Sequence, residues 1–84
     1  MPHLIAKIAQ GHSDAQKKEL GIRLTAAVMV ALSVEADAVS ITLEEVPEKD
    51  WMDQVYRPDI QADPDSLLKR PAYGPLASPK DEQS

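Results

Sequence analysis

The sequence predicts an α+β fold in which a β-α-β protomer with two parallel strands is followed by short C-terminal helices. Two segments, 2–9 and 38–46, alternate in side-chain character with the period of two that is typical of β-strands. Between them, apolar residues recur at helical spacing behind a capping motif. Because short connections join strand, helix and strand, we expect a right-handed crossover between parallel strands.

The central helix is predicted to begin after Ser13 and to end near Leu32. The segment Ser13-Asp14-Ala15-Gln16 fits the capping box S-x-x-Q, and Asp14 lies where the helix dipole is positive. In the strand that precedes the helix, alternation assigns one face to Leu4, Ala6 and Ile8 and the other to His3, Ile5 and Lys7. The second of these faces is therefore mixed in polarity.

Two strands are too few for a stable sheet, so we expect a two-fold partner that extends the sheet to four strands. Beyond Pro47, the sequence predicts short helices over 48–57 and 63–69, the first ended by Pro58. We assign a single domain to residues 1–76 and a disordered tail to residues 77–84.

Composition restricts the classes of function. The chain has 84 residues, a net charge of −5, no cysteine and no phenylalanine. A small core favours a homo-oligomer, most simply a homodimer, and the acidic balance argues against nucleic acid or a membrane surface as partner. Thiolate metal sites are excluded, and the histidines and carboxylates show no metal-ligand spacing, so we expect no metal. With no signal-peptide or membrane-spanning pattern, we expect a cytoplasmic protein.

Pro2 follows the initiator methionine directly. Removal of Met1 would leave Pro2 with a free secondary amine at the start of a strand. An α-amino group has a reference pKa of about 8, and a pocket of low dielectric disfavours its charged form. Pro2 is therefore a candidate general base.

An amino-terminal proline, the segment Gly11-x-Ser13-Asp14-x-Gln16-Lys17 and a strand over 38–45 together resemble the 4-oxalocrotonate tautomerase family. The match runs without gaps from Pro2 to about Val46, and the later residues look like the longer-chain, dimeric bacterial branch. The resemblance implies a cofactor-independent tautomerase (a keto–enol isomerase) that uses Pro2 as general acid and base on a small carboxylate substrate.

The sequence departs from the best-known members at two positions. His12 and Ser40 occupy the places of the two usual arginines, and Trp51 corresponds to the aromatic residue that lowers the dielectric around the proline. Neither His12 nor Ser40 can form arginine's permanent bidentate clamp. We therefore expect a monocarboxylate 2-keto acid or its enol, of the phenylpyruvate type, with His12, Ser40 and Trp51 as substrate contacts.

Alternatives remain open at this point. His12 is equally well explained as a solvated or capping histidine, and Ser40 as an exposed serine without a binding role. Lys69 with Arg70 is either a substitute carboxylate clamp or a solvated helix end. For the whole protein, the alternatives are a hydratase or dehalogenase of the same superfamily and a non-catalytic dimeric scaffold.

Overall fold

The structure is a computed structural model that describes residues 1–77. Strand β1 (His3–Ala9), helix α1 (Asp14–Leu32) and strand β2 (Ser40–Val46) follow one another along the chain. Short helical turns make up the rest, namely 3₁₀ turns at Ala36–Ala38, Glu48–Asp50 and Pro64–Ser66 and a π-helix at Met52–Gln61. The predicted α+β class with its β-α-β order is confirmed. No helix within residues 1–77 has the length and apolarity needed to cross a membrane.

The two strands pair in parallel, as predicted, in a register that runs from His3 opposite Ser40 to Ala9 opposite Val46. Lys17 of α1 bonds to Glu45 of β2, so α1 covers the face of the sheet to which Glu45 points. Alternation places Leu4, Ala6, Ile8, Ile41 and Leu43 on this covered face. The opposite face carries His3, Ile5, Ser40 and Thr42, and these side chains are exposed.

Helix α1 begins and ends where the sequence predicts. The Ser13 hydroxyl accepts a hydrogen bond from the Gln16 backbone N–H, and the Gln16 side chain accepts one from the Ser13 N–H, which completes the capping box. At the other end, Ser33 adopts a left-handed conformation with φ of 56° and donates its N–H to the Met29 carbonyl.

The strand limits differ slightly from the prediction. β2 begins at Ser40 rather than at residue 38, because the Ala38 and Val39 N–H groups bond to the carbonyls of Glu35 and Ala36 in a 3₁₀ turn. β1 begins at His3, since Pro2 has no N–H for the ladder.

Beyond Glu48, the predicted helix limits were wrong. The π-helix continues through Pro58 to Gln61, and the bond from the Ala62 N–H to the Arg57 carbonyl has the five-residue spacing of a π turn. A proline there removes one N–H donor without ending the wider turn. The second predicted helix, 63–69, shortens to the 3₁₀ turn Pro64–Ser66.

The chain divides into two compact units, the first at Met1–Glu48 and the second beginning at Lys49. Among the described residues, the buried apolar side chains are Val46, Val55 and Tyr56. Helix α1 has no buried residue. The single domain at 1–76 stays a prediction, and residues 78–84 of the predicted tail lie outside the described residues.

Candidate active site

Pro2 and Ser40 are brought together by the parallel register. The Ser40 N–H donates to the Pro2 carbonyl at 3.2 Å, and Pro2 itself is half-buried. Both residues lie at the same end of the sheet because β1 and β2 begin side by side. Two of the four predicted site residues therefore adjoin one another.

His3 is a neighbour of this pair that sequence reasoning left out of the site. Its Nδ1 lies 2.7 Å from Ser40 Oγ, and its Nε2 lies 3.4 Å from Thr42 Oγ1. When Nδ1 carries the proton, it donates to Ser40 Oγ and leaves the serine hydroxyl hydrogen for another acceptor. The shared period of two in both strands, combined with the register, was the pattern that could have identified His3.

His12 lies beyond the opposite end of β1. The seven residues of β1 span roughly 23 Å at the usual rise per residue, and Pro2 and His12 lie beyond opposite ends of the strand. Within one chain, the two predicted site residues therefore do not meet. His12 is exposed and lines a cavity of about 230 Å³ together with Ile8, Gln16, Lys17 and Leu20.

Lys17 provides the positive charge of this cavity and is already paired. Its ammonium lies 2.8 Å from Glu45 Oε2 and 3.4 Å from Asp14 Oδ1. The hydrogen bond to Glu45, with the charges of both carboxylates, raises the pKa of Lys17 above its usual value, although partial desolvation opposes the shift. The ammonium is thus a stable cation that helps to hold α1 on β2.

Trp51 belongs to the second unit and is half-buried there. Its indole Nε1 donates to the Tyr73 hydroxyl at 2.8 Å. The aromatic face of Trp51 is thereby held in one orientation, which suits the apolar wall that the sequence predicts. Its role toward Pro2 stays a prediction.

Lys69 and Arg70, the alternative clamp, line a cavity of about 390 Å³ in the second unit. Arg70 also donates to the Leu76 carbonyl at 3.1 Å. Elsewhere in residues 1–77, no group of three or more histidine or carboxylate side chains is arranged to hold a metal ion.

Comparison with known proteins shows the family to which the chain belongs. The family model described as "Tautomerase enzyme" matches residues 2–57. The chain belongs to the tautomerase family. It is accordingly an isomerase, and the resemblance drawn from the sequence is confirmed.

Individual tautomerases resemble the chain over most of its length. A "Probable tautomerase" from Xylella fastidiosa (strain 9a5c) is 54% identical over 82 residues, which cover 98% of this chain and 100% of that protein. "Tautomerase PptA" from Cronobacter sakazakii is 32% identical over 74 residues, 87% of this chain and 97% of the relative. The same-named protein of Pectobacterium atrosepticum is 31% identical with equal coverage.

Proposed function

We propose that this tautomerase interconverts the keto and enol forms of a small 2-keto acid of the phenylpyruvate type, with the Pro2 nitrogen as general acid and base. The observation that carries the proposal is the position of Pro2, half-buried at the start of β1 and bonded to Ser40. The family match also begins at residue 2.

The reaction requires removal of Met1, since an amide nitrogen is not a base. Met1 is fully exposed and is therefore accessible to an aminopeptidase. The product has a secondary amine at Pro2, and a neutral amine near physiological pH accepts a proton efficiently. The Pro2 nitrogen takes the proton from the carbon next to the carbonyl or from the enol oxygen and returns it at the other position.

Ser40 is suited to hold the oxygen that becomes negative during this transfer. With His3 Nδ1 as donor to Ser40 Oγ, the hydroxyl hydrogen is directed to another acceptor, and a preorganised donor favours the charged form of the substrate. The single hydroxyl and the imidazole of His12 supply no permanent pair of cations. We therefore infer a monocarboxylate substrate rather than a dicarboxylate.

A homodimer completes this proposal. Pro2 and His12 lie at opposite ends of β1, so a second copy that runs antiparallel beside the first would supply His12 to the Pro2 end. Exposed apolar residues also support a partner. More than half of the surface of each of these residues is exposed in the single chain, namely Ile5, Ile22, Val30 and Leu32. The cytoplasmic location stays a prediction.

Replacement of Pro2 by alanine tests the catalytic role. Pro2→Ala keeps an amino terminus but substitutes a primary for a secondary amine, and we expect kcat/KM for phenylpyruvate enol to fall roughly 100-fold. Intact mass must first show that Met1 is absent from both proteins, and circular dichroism must show the same fold. Protein that retains Met1 serves as the inactive reference.

Unchanged turnover by the Pro2→Ala protein would contradict the proposal. A 3-haloacrylate is assayed beside the enol, because the superfamily alternatives are a hydratase and a dehalogenase. If the protein converts the haloacrylate and not the enol, the proposed keto–enol reaction is wrong and one of these two reactions takes its place.

A further inference from the structure

The second unit contains a cavity that the proposed reaction does not use. Its volume of about 390 Å³ lies within the range of sites for small molecules. Every lining residue comes from the segment 60–73, namely Ile60, Leu67, Lys69, Arg70, Pro71, Ala72 and Tyr73. The cavity therefore depends on one compact unit only.

The charged side chains that line this cavity within residues 1–77 are both positive. They are those of Lys69 and Arg70, and no acidic residue of the described part of the chain lines it. Lys69 has no ion-pair partner within residues 1–77, and Arg70 spends one guanidinium nitrogen on the Leu76 carbonyl and keeps its other N–H groups. In a protein with a net charge of −5, this is a local preference for an anion.

Tyr73 adds a third hydrogen-bond donor and an aromatic wall. Its hydroxyl oxygen accepts from Trp51 Nε1, so the hydroxyl hydrogen is left to donate elsewhere. Tyr73 as a residue is 47% exposed and lines the cavity, so it can contact a ligand there. Ile60, Leu67 and Pro71 supply apolar surface beside these donors.

The wall that carries Arg70 and Tyr73 is held rigidly. The Tyr56 hydroxyl donates to the Tyr73 carbonyl and accepts from the Leu76 N–H, each at 2.8 Å. Gly74 turns the chain with φ of +73° directly against the Tyr56 ring. A wall ordered before binding reduces the entropic cost of holding a ligand.

We propose that this cavity binds a small organic monocarboxylate with an apolar body. The ammonium of Lys69 and the free N–H groups of Arg70 bind the carboxylate, since charge-assisted hydrogen bonds are stronger than neutral ones. The body of the ligand packs on Tyr73 and the apolar lining. This binding needs no chemistry at Pro2 and can therefore be tested separately from the proposed reaction.

Direct binding of 3-phenylpropionate tests the inference, because this acid has no keto group to react. Trp51 is the single tryptophan and bonds to Tyr73, so its fluorescence detects binding, and NMR signals then assign the bound ligand to the cavity rather than to the catalytic site. We expect saturable binding to the Met1-free protein, at least about tenfold weaker binding of the uncharged 3-phenylpropanol, and shifted NMR signals of residues in the segment 60–73.

Two lysine variants give the matched comparison. Lys69→Gln removes the cavity's ammonium, and Lys49→Gln removes an exposed ammonium of the same unit that does not line the cavity. We expect about tenfold weaker binding of 3-phenylpropionate by Lys69→Gln and unchanged binding by Lys49→Gln and Pro2→Ala.

Equal affinities of the two lysine variants, or of the acid and the alcohol, would overturn the inference. Loss of binding in Pro2→Ala would also overturn it, because the acid would then occupy the catalytic site. Loss of tautomerase activity in Pro2→Ala with binding retained would leave both proposals standing, so the two can fail separately.

Discussion

The two units of this tautomerase obtain their order in different ways. The first unit consists of β1, α1 and β2, yet Val46 is its single buried apolar side chain among the described residues. The second has only short helical segments, yet it contains Tyr56, which is fully buried, and Val55, which is nearly so. Regular secondary structure and a buried core are thus separated along the chain.

This difference shows what each unit needs. Backbone hydrogen bonds between β1 and β2 and a capped helix order the first unit, and its exposed apolar side chains are the surface that the proposed partner would cover. The second unit is organised around one side chain, Tyr56, whose ring meets that of Tyr73 edge to face at 5.2 Å between centroids. The following substitutions test this contrast in order of expected effect.

The largest effect is expected from the removal of the Tyr56 ring. Tyr56→Ala should lower the free energy of unfolding by about 3–5 kcal/mol, because a fully buried aromatic side chain leaves a cavity. Tyr56→Phe keeps the ring and removes only the hydroxyl that bonds to Tyr73 and Leu76, so about 1–2 kcal/mol is expected. Urea denaturation measures both, and similar losses would show that the ring is not the main contribution.

Replacement by alanine should change the free energy of unfolding in opposite directions at two glycines, one in each unit. Gly74→Ala places a Cβ 2.6 Å from Tyr56 Cζ at a left-handed φ, and we expect a loss of about 2–4 kcal/mol. Gly21→Ala meets nothing within 4 Å in the interior of α1 and should stabilise by up to about 1 kcal/mol. Thermal unfolding compares them, and destabilisation by Gly21→Ala would indicate that another chain packs there.

Assembly should depend on the exposed apolar residues of the first unit. Charged substitutions at Ile22 and Val30, which are 56% and 83% exposed, should raise the dissociation constant of the proposed homodimer at least about tenfold. Val30→Thr is the control, since it keeps the shape without adding a charge. Sedimentation equilibrium measures the association. If Ile22→Asp and Val30→Asp associate as tightly as the wild type, a partner covers another face.

The smallest effect concerns the alkaline stability of the first unit. The pKa of Lys17 is raised in the folded chain, so its stabilising contribution is complete below the pKa of the unfolded chain and is lost as the pH rises through the folded pKa. Glu45→Gln removes the main cause. Wild type should therefore lose more thermal stability than Glu45→Gln between about pH 10 and 12, and parallel curves would contradict this linkage.

The predicted features are marked by a pattern of residues in the sequence, and the missed ones are not. The capping box at Ser13 and Gln16 bonds within four residues, and it was predicted from those residues alone. The 3₁₀ turn that delays β2 and the π turn that passes Pro58 close over three and five residues, but no residue pattern in those segments predicts them. The bond from His3 to Ser40 joins residues 37 apart, so strand register had to be known first.

The order and type of β1, α1 and β2 and their parallel pairing were predictable from residue periodicity, capping and connection length, which act over a few positions. The tautomerase family was predicted from the resemblance carried by Pro2 and the segment Gly11-x-Ser13-Asp14-x-Gln16-Lys17. The bond from His3 to Ser40, the burial of Tyr56 and the cationic cavity at Lys69 and Arg70 became known only from the tertiary structure. Each depends on contacts of side chains in three dimensions, which leave no periodic pattern in the sequence.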